Sequence, residues 1–202
     1  MNSNQEKYII TINRQFGSLG RPIAQRAAEI LGIGFYDRDI VEQAAKVSGI
    51  RVHDTSKLDE TLANLRGMEH PLGIGVRETQ IRIFEEERQF ILDKASEESA
   101  IFVGRCSDNI LKSEKRLLRI FIYAPYQERL KNCTDSLHMP LKEAIRMIHA
   151  TDKERDRYHK EYAGYLPNDS NHCDLQLNSA FFGIEGTAKL ISDIAKEKFG
   201  VI

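Results

Sequence analysis

Five short apolar runs, each followed by a turn and a stretch with helical spacing, constrain the fold of this chain more than any other feature. The runs are Tyr8 to Ile12, Gly34 to Tyr36, Ala100 to Val103, Leu117 to Tyr123 and Cys173 to Asn178. Their length and their β-branched or aromatic content mark them as strands. Between and after them come helical stripes. Ile23, Ala24, Ala27, Ala28 and Leu31 stop at Gly32, and Ile40, Val41, Ala44, Ala45 and Val47 close at Gly49. A long helix follows with Ile81, Phe84, Arg88, Ile91 and Ala95 on one face and Glu85, Glu86 and Glu87 mostly in solvent. Tyr126 to Cys133 gives another, and Pro140 opens a further one with Leu141, Ala144, Ile145 and Ile148. Ile184, Ala188, Ile191, Ala195 and Phe199 form the closing stripe. Strands alternating with helices predict an α/β fold, a mostly parallel sheet covered on both faces. Ligands of such sheets sit beyond the carboxyl ends of the strands.

The first strand end is the most informative. Tyr8 to Asn13 runs into Arg14-Gln15-Phe16-Gly17-Ser18-Leu19-Gly20-Arg21-Pro22 and then into a helix, the order of a phosphate-cradling loop. Laid on the pattern G-x-x-x-x-G-K-[ST], Gln15 to Pro22 keeps Gly20 but has Gln15 for the first glycine, Arg21 for the lysine and Pro22 for the hydroxyl. The cradle is mostly backbone N–H groups and the positive end of a helix, which need glycine freedom more than particular side chains. Gly17 and Gly20 supply it, and Arg21 keeps a cation. Pro22 suits the first helical position but offers no hydroxyl to a metal, so Ser18 is the nearest candidate magnesium ligand.

Other unusual residues also follow strands. Asp37 follows the second, where it serves either as a helix N-cap or as a ligand-binding carboxylate, and Gly104-Arg105 follow the third. Phosphoryl transfer needs cations from several elements to meet over one site. Arg21, Arg105, Arg155 and Arg157 meet that need, the last two on the segment Asp152 to Tyr158. Being two apart, Arg155 and Arg157 point to different sides of a helix, which suits a lid or a salt-bridged surface. The histidines show no ligand spacing and read as surface or core residues.

At 202 residues the chain is expected to be one domain over 1–202, with 50–98 as an acceptor-side flap and long helix and 140–170 as a lid region. A net charge of -1 gives no overall attraction to nucleic acid or anionic membrane. No apolar run approaches the ~18 residues that span a bilayer, and three cysteines without C-x-x-C spacing suit a reducing cytoplasm. The apolar stripe from Ile81 to Ala95 serves either the core or a homo-oligomer face.

With these residues laid out, the chain resembles the cytidylate kinase-like family of P-loop nucleoside monophosphate kinases, and within it a divergent branch. Five blocks carry the likeness: Ile12 to Arg21, Leu31 to Asp37, Val103 to Asp108, Ile120 to Pro125 and Asp152 to Tyr158. The resemblance implies a doubly wound sheet of five parallel strands with a helical lid. It also implies transfer of the terminal phosphoryl of ATP, with Mg2+, to a nucleotide acceptor, foremost CMP or dCMP. By the same likeness Gly17, Ser18, Leu19, Gly20, Arg21 and Pro22 form the donor loop, and Arg155 meets the transferring group. Asp37, Arg105 and Asp108 hold the acceptor, and Arg157 serves either side. The loop departs from the family's G-S-G-K-[GS]-T in lacking both lysine and hydroxyl. A nucleotide-binding or regulatory protein without turnover and a kinase of a non-nucleotide small molecule therefore stay open.

Overall fold

The computed structural model describes residues 6–37 and 74–201. The expected helix over Ile40 to Val47, and the expected flap as far as Gly73, lie outside the described residues. Two compact units divide the chain, one of Met1–Asp37 with Ala95–Ile202 and one of Arg38–Lys94.

The larger unit is built on a five-stranded parallel sheet. Its strands are β1 (Ile9–Arg14), β2 (Gly34–Tyr36), β3 (Ala100–Val103), β4 (Leu117–Tyr123) and β5 (Leu175–Asn178), ordered β2-β3-β1-β4-β5. The chain leaves the central β1 toward one edge, returns through β3, and then builds outward on the other side. That reversal puts a crevice at the carboxyl end of β1, where open α/β sheets bind ligands. β5 begins at Leu175 rather than Cys173, because the Asp174 carboxylate turns back to accept from the Arg119 N–H and guanidinium.

Helix α1 (Gly20–Leu31) ends at Gly32 in the left-handed region, where glycine is the favoured stop. The last helix, α6 (Ser179–Phe199), is broken at Gly183, and its first turn carries exposed Phe181 and Phe182. Ala24, Ala27 and Ala28 of α1 and Ala188, Ile191 and Ala195 of α6 join Ile10, Ile12, Ile101, Val103, Ile120 and Ile122 in one core cluster. The small residues let the two helices approach each other over the sheet. The alternate residues Ile9, Thr11, Phe102 and Phe121 are buried too, as strands covered on both faces require.

Between β3 and β4 lies the short α3 (Ser107–Ile110). After β4 come α4 (Tyr126–Lys131), a π-turn over Asn132–Ser136, and α5 (Leu141–Ala163), which ends at left-handed Gly164. Ala144 and Ile148 of α5 pack with Cys133 in a second small cluster that includes Phe16. Leu141 and Ile145 of the expected stripe are largely exposed.

α2 (Ile74–Glu97) is the long helix that the periodicity predicts. Its buried positions are Phe84, Glu87, Ile91 and Ala95, while Ile81 and Arg88 are exposed. The face is thus turned by one residue from expectation, and Glu87 lies in it instead of in solvent. Among the described residues, no helix is long and apolar enough to cross a membrane. The three cysteines are free.

Candidate active site

β1 delivers the chain to its carboxyl end at Arg14, and α1 starts at Gly20, so the turn between them must be tight and strained. Gly17 has φ +76°, and a Cβ there would stand 2.8 Å from the Arg129 carbonyl oxygen. Leu19, the helix N-cap, is also left-handed at φ 59°. Strain of this kind persists only where surroundings over-determine it. Here Phe16 N–H donates to Asp152 at 2.7 Å, and Arg129 donates to both Asp152 and the Phe16 carbonyl. Asn132 Nδ2 donates to the Gly17 carbonyl at 2.9 Å, and Ser179 Oγ to the Ser18 carbonyl at 2.7 Å. With its carbonyls tied back, the loop leaves the first N–H groups of α1, at Gly20 and Arg21, as donors without intrahelical partners. Together with the helix dipole they form an anion cradle. Pro22 is the third helical residue, not the first, and as part of the first turn it forfeits no helical bond.

Ser18 does not match the metal-ligand expectation. Its hydroxyl is fully buried and directed toward the Gln15 and Ile122 carbonyls, at 2.9 and 3.2 Å. Pro22 has no hydroxyl, and among the described residues no cluster of three or more His, Cys, Asp or Glu side chains is placed to hold a metal ion. The loop's side chains therefore do not fit a magnesium ion seated in the usual way.

Asp37 is buried at the end of β2 and is shared by two arginines. Arg21 Nε donates to Oδ2 at 2.7 Å and Arg14 Nη2 to Oδ1 at 3.3 Å. Next to them β3 ends in three successive left-handed residues, Gly104 (φ 75°), Arg105 (φ 56°) and Cys106 (φ 55°). For the two non-glycine residues this costs roughly 1–2 kcal/mol each. The turn brings Arg105 near enough to Arg14 for its charge to help depress the Arg14 pKa, after burial, the larger cause. On α5, Arg155 Nη1 donates to the Arg14 carbonyl at 3.0 Å. Burial and, next, the like charge of Arg14 push the Arg155 pKa down to about 9, against the pull of Asp152 and Asp37. Arg14 and Arg21 thus share the Asp37 carboxylate, and Arg105 and Arg155 bring two more positive charges close to Arg14. The Asp152 charge is matched separately by Arg129.

Arg157 and Asp108 do not join them. Arg157 points outward and pairs with Glu154 one helical turn away, as the surface alternative has it. Asp108 is buried and accepts from His159 Nε2 at 3.0 Å and Tyr165 Oη at 2.8 Å, so it faces α5 and not an open site. His159 Nδ1 meets the Tyr165 carbonyl at 2.9 Å, and Nε2, facing the Asp108 carboxylate, also lies 3.4 Å from Asn13 Nδ2. Burial alone would lower the His159 pKa, but the bond to Asp108 and its charge outweigh it and raise it. Burial likewise opposes ionisation of Asp108, and the His159 bond and charge overcome it.

These features agree with the similarity of the chain to known proteins. Residues 9–180 match the model of the cytidylate kinase-like family. The chain belongs to that family. Its solved relatives in fold include an uncharacterized protein from Eubacterium ventriosum (TM-score 0.73, 23% identity, 94% of this chain and 99% of that one). A shikimate kinase from Acinetobacter baumannii in complex with shikimate is also similar (TM-score 0.52, 13% identity, 96% and 95% covered). So is a gluconokinase from Sinorhizobium meliloti (TM-score 0.52, 14% identity, 97% and 93% covered). At these identities the structures speak for the P-loop kinase fold alone. No curated protein matches the chain. Membership in the cytidylate kinase-like family sets phosphoryl transfer as the coarse chemistry of the site.

Two parts of the site carry no signal of their own in the sequence. Arg14 stands inside a recognisable block, yet a charged residue closing a strand reads as an edge residue. Asp152 reads as one more charge on a charged helix. Only the fold shows that the first lies near three other arginines and that the second ties the turn after β1.

Proposed function

We propose that this member of the cytidylate kinase-like family transfers the terminal phosphoryl of ATP to a nucleoside monophosphate, CMP or dCMP first among them. The observation that carries the reading is the convergence of Arg14, Arg21, Arg105 and Arg155, from four separate segments, at the carboxyl ends of the strands. Donor and acceptor phosphates both bring negative charge there, and catalysis consists mainly of holding them in line and neutralising them. Gly17 to Pro22 cradle the donor, with Arg21 as the loop cation. Arg155, seated on the Arg14 carbonyl, meets the transferring group, and Arg105 with Asp37 faces the acceptor. An acceptor phosphate oxygen forms the new bond to the γ-phosphorus. The bond to the β–γ bridging oxygen breaks, and its electron pair stays on ADP, so no proton need move. The reading places the protein in the cytoplasm, where its nucleotide substrates are.

The test is a product-mass screen with ATP and magnesium against the common nucleoside monophosphates. Nucleoside diphosphate should form from CMP or dCMP, and Arg21→Ala should lower the rate by about 10²-fold. Parental rates in Arg21→Ala would overturn the role given to the loop.

A second reading, a nucleotide-binding protein without turnover, is favoured by the inward Ser18 hydroxyl and by Pro22. Tight calorimetric binding of ATP with no product from any acceptor, including hydroxy acids of the shikimate and gluconate kind, would select it.

A further inference from the structure

Arg14 stands where a structural ion pair is the ordinary explanation, and its surroundings do not suit that role. Among the described residues its guanidinium makes one hydrogen bond, the 3.3 Å contact with Asp37, whereas the exposed Arg21 takes the shorter bond to the same carboxylate. A guanidinium has five N–H donors in a rigid fork, so most of its capacity is unspent in a site where only 18% of the side chain is exposed. Its neighbours in charge are Arg21, Arg105 and Arg155, and like charges destabilise a group kept only for structure. The fold nevertheless makes room for it on two sides. A Cβ at Gly20 would lie 2.6 Å from the Arg14 Cβ, and one at Gly104 would overlap Nη1. Gly20 belongs to the donor loop and Gly104 to the turn that presents Arg105. The stem of Arg14 therefore packs on the loop after β1, and its fork reaches the turn after β3.

We propose that Arg14 binds the phosphoryl group in transit, its N–H groups meeting the non-bridging oxygens of the terminal phosphoryl of the donor. The inference rests on the kinase reading above and adds a residue to it. The ligand class is a phosphoryl group carrying about two negative charges, at a centre where Arg14 and Arg21 share the Asp37 carboxylate and Arg105 and Arg155 add positive charge beside Arg14. Arg14 and Arg155 act as one unit, since the Arg14 carbonyl holds Arg155 Nη1. Arg14 takes up charge that the loop's own side chains, with Pro22 in the hydroxyl position and Ser18 turned inward, do not draw to the site through a metal ion.

The test compares calorimetric affinities for ADP and for the non-hydrolysable donor AMP-PNP, with thermal stabilisation by inorganic tripolyphosphate as an independent readout. Arg14→Met should lose at least tenfold in AMP-PNP affinity while ADP affinity stays within about threefold, and its stabilisation by tripolyphosphate should fall. Arg14→Lys, which keeps charge but not the fork, should lie between the two and guards against misfolding of the methionine variant. Arg21→Met should weaken both nucleotides together. Parallel losses for ADP and AMP-PNP in Arg14→Met, or no loss of either, would overturn the assignment. If the parent bound neither nucleotide but tripolyphosphate stabilised it, and not Arg14→Met, the nucleotide reading would fall while the anion site at Arg14 stood. If none of the three ligands bound, both would fall.

Discussion

The two turns that enclose the site, Gln15 to Gly20 after β1 and Gly104 to Cys106 after β3, hold their shapes by different means. The first is tied from outside by Asp152, Arg129, Asn132 and Ser179, side chains from α4 to α6. The second is held by the backbone bonds Gly104 N–H to Ile12 O and Ser107 N–H to Gly104 O, at 3.0 and 3.1 Å, and keeps three left-handed residues in a row. A turn shaped by its surroundings can change its own side chains, which is how the loop after β1 holds its form without the standard lysine and hydroxyl. The second turn, bonded to β1 through its backbone, aims one side chain, Arg105.

Alanine at each turn's glycine would sharpen the contrast. Gly17→Ala meets a backbone carbonyl, which cannot retreat, and should cost about 3 kcal/mol of stability in denaturant unfolding. Gly104→Ala meets the end of the Arg14 side chain, which can move aside, and should cost less, about 1–2 kcal/mol. Its donor affinity should nevertheless fall further than its stability, because the price is the position of Arg14. Equal stability costs for the two variants would break the comparison. Next in size is Asp152→Ala, which leaves the Phe16 N–H and the buried Arg129 without their acceptor and should cost about 2 kcal/mol. An unfolding midpoint unchanged from the parent would show that the loop does not depend on α5.

A smaller effect is set by pH. The raised His159 pKa means that its contribution to stability is complete below the unfolded value of ~6.5 and is lost as pH rises through the higher folded value. Asp108 is depressed, so its contribution is present above ~4 and is lost as pH falls through its lower folded value. The pair therefore stabilises the fold most between those limits. His159→Gln should remove the decline in unfolding free energy above pH 6.5, and identical slopes in parent and variant would contradict the ion pair.

Much of the fold was legible because burial imposes periodicity. The runs at Ile9, Ala100 and Leu117 and the stop at Gly32 needed only local chemistry. The face of α2 was less so, since Phe84, Ile91 and Ala95 leave either position 87 or position 88 to complete the stripe, and the glutamate completes it. Gly17, Gly20, Arg21, Asp37 and Arg105 stand out in the sequence as special residues after strand ends, and the fold places them there. Arg155 and Arg157 could not be told apart by spacing, since helical phase decides which of the two faces the body. Asp108 and His159, 51 residues apart, become partners only through the fold.

The central claim, that inward guanidiniums do the work of phosphoryl transfer, is tested most directly by the rate of nucleoside diphosphate formation from ATP and CMP in Arg155→Ala beside Arg157→Ala. Arg155 lies on the Arg14 carbonyl, while Arg157 makes an exposed pair with Glu154 that contributes little. Arg155→Ala should lose about 10²–10³-fold in kcat, with Arg157→Ala at the parental rate. Equal rates in both variants and the parent, or a loss confined to Arg157→Ala, would contradict the account.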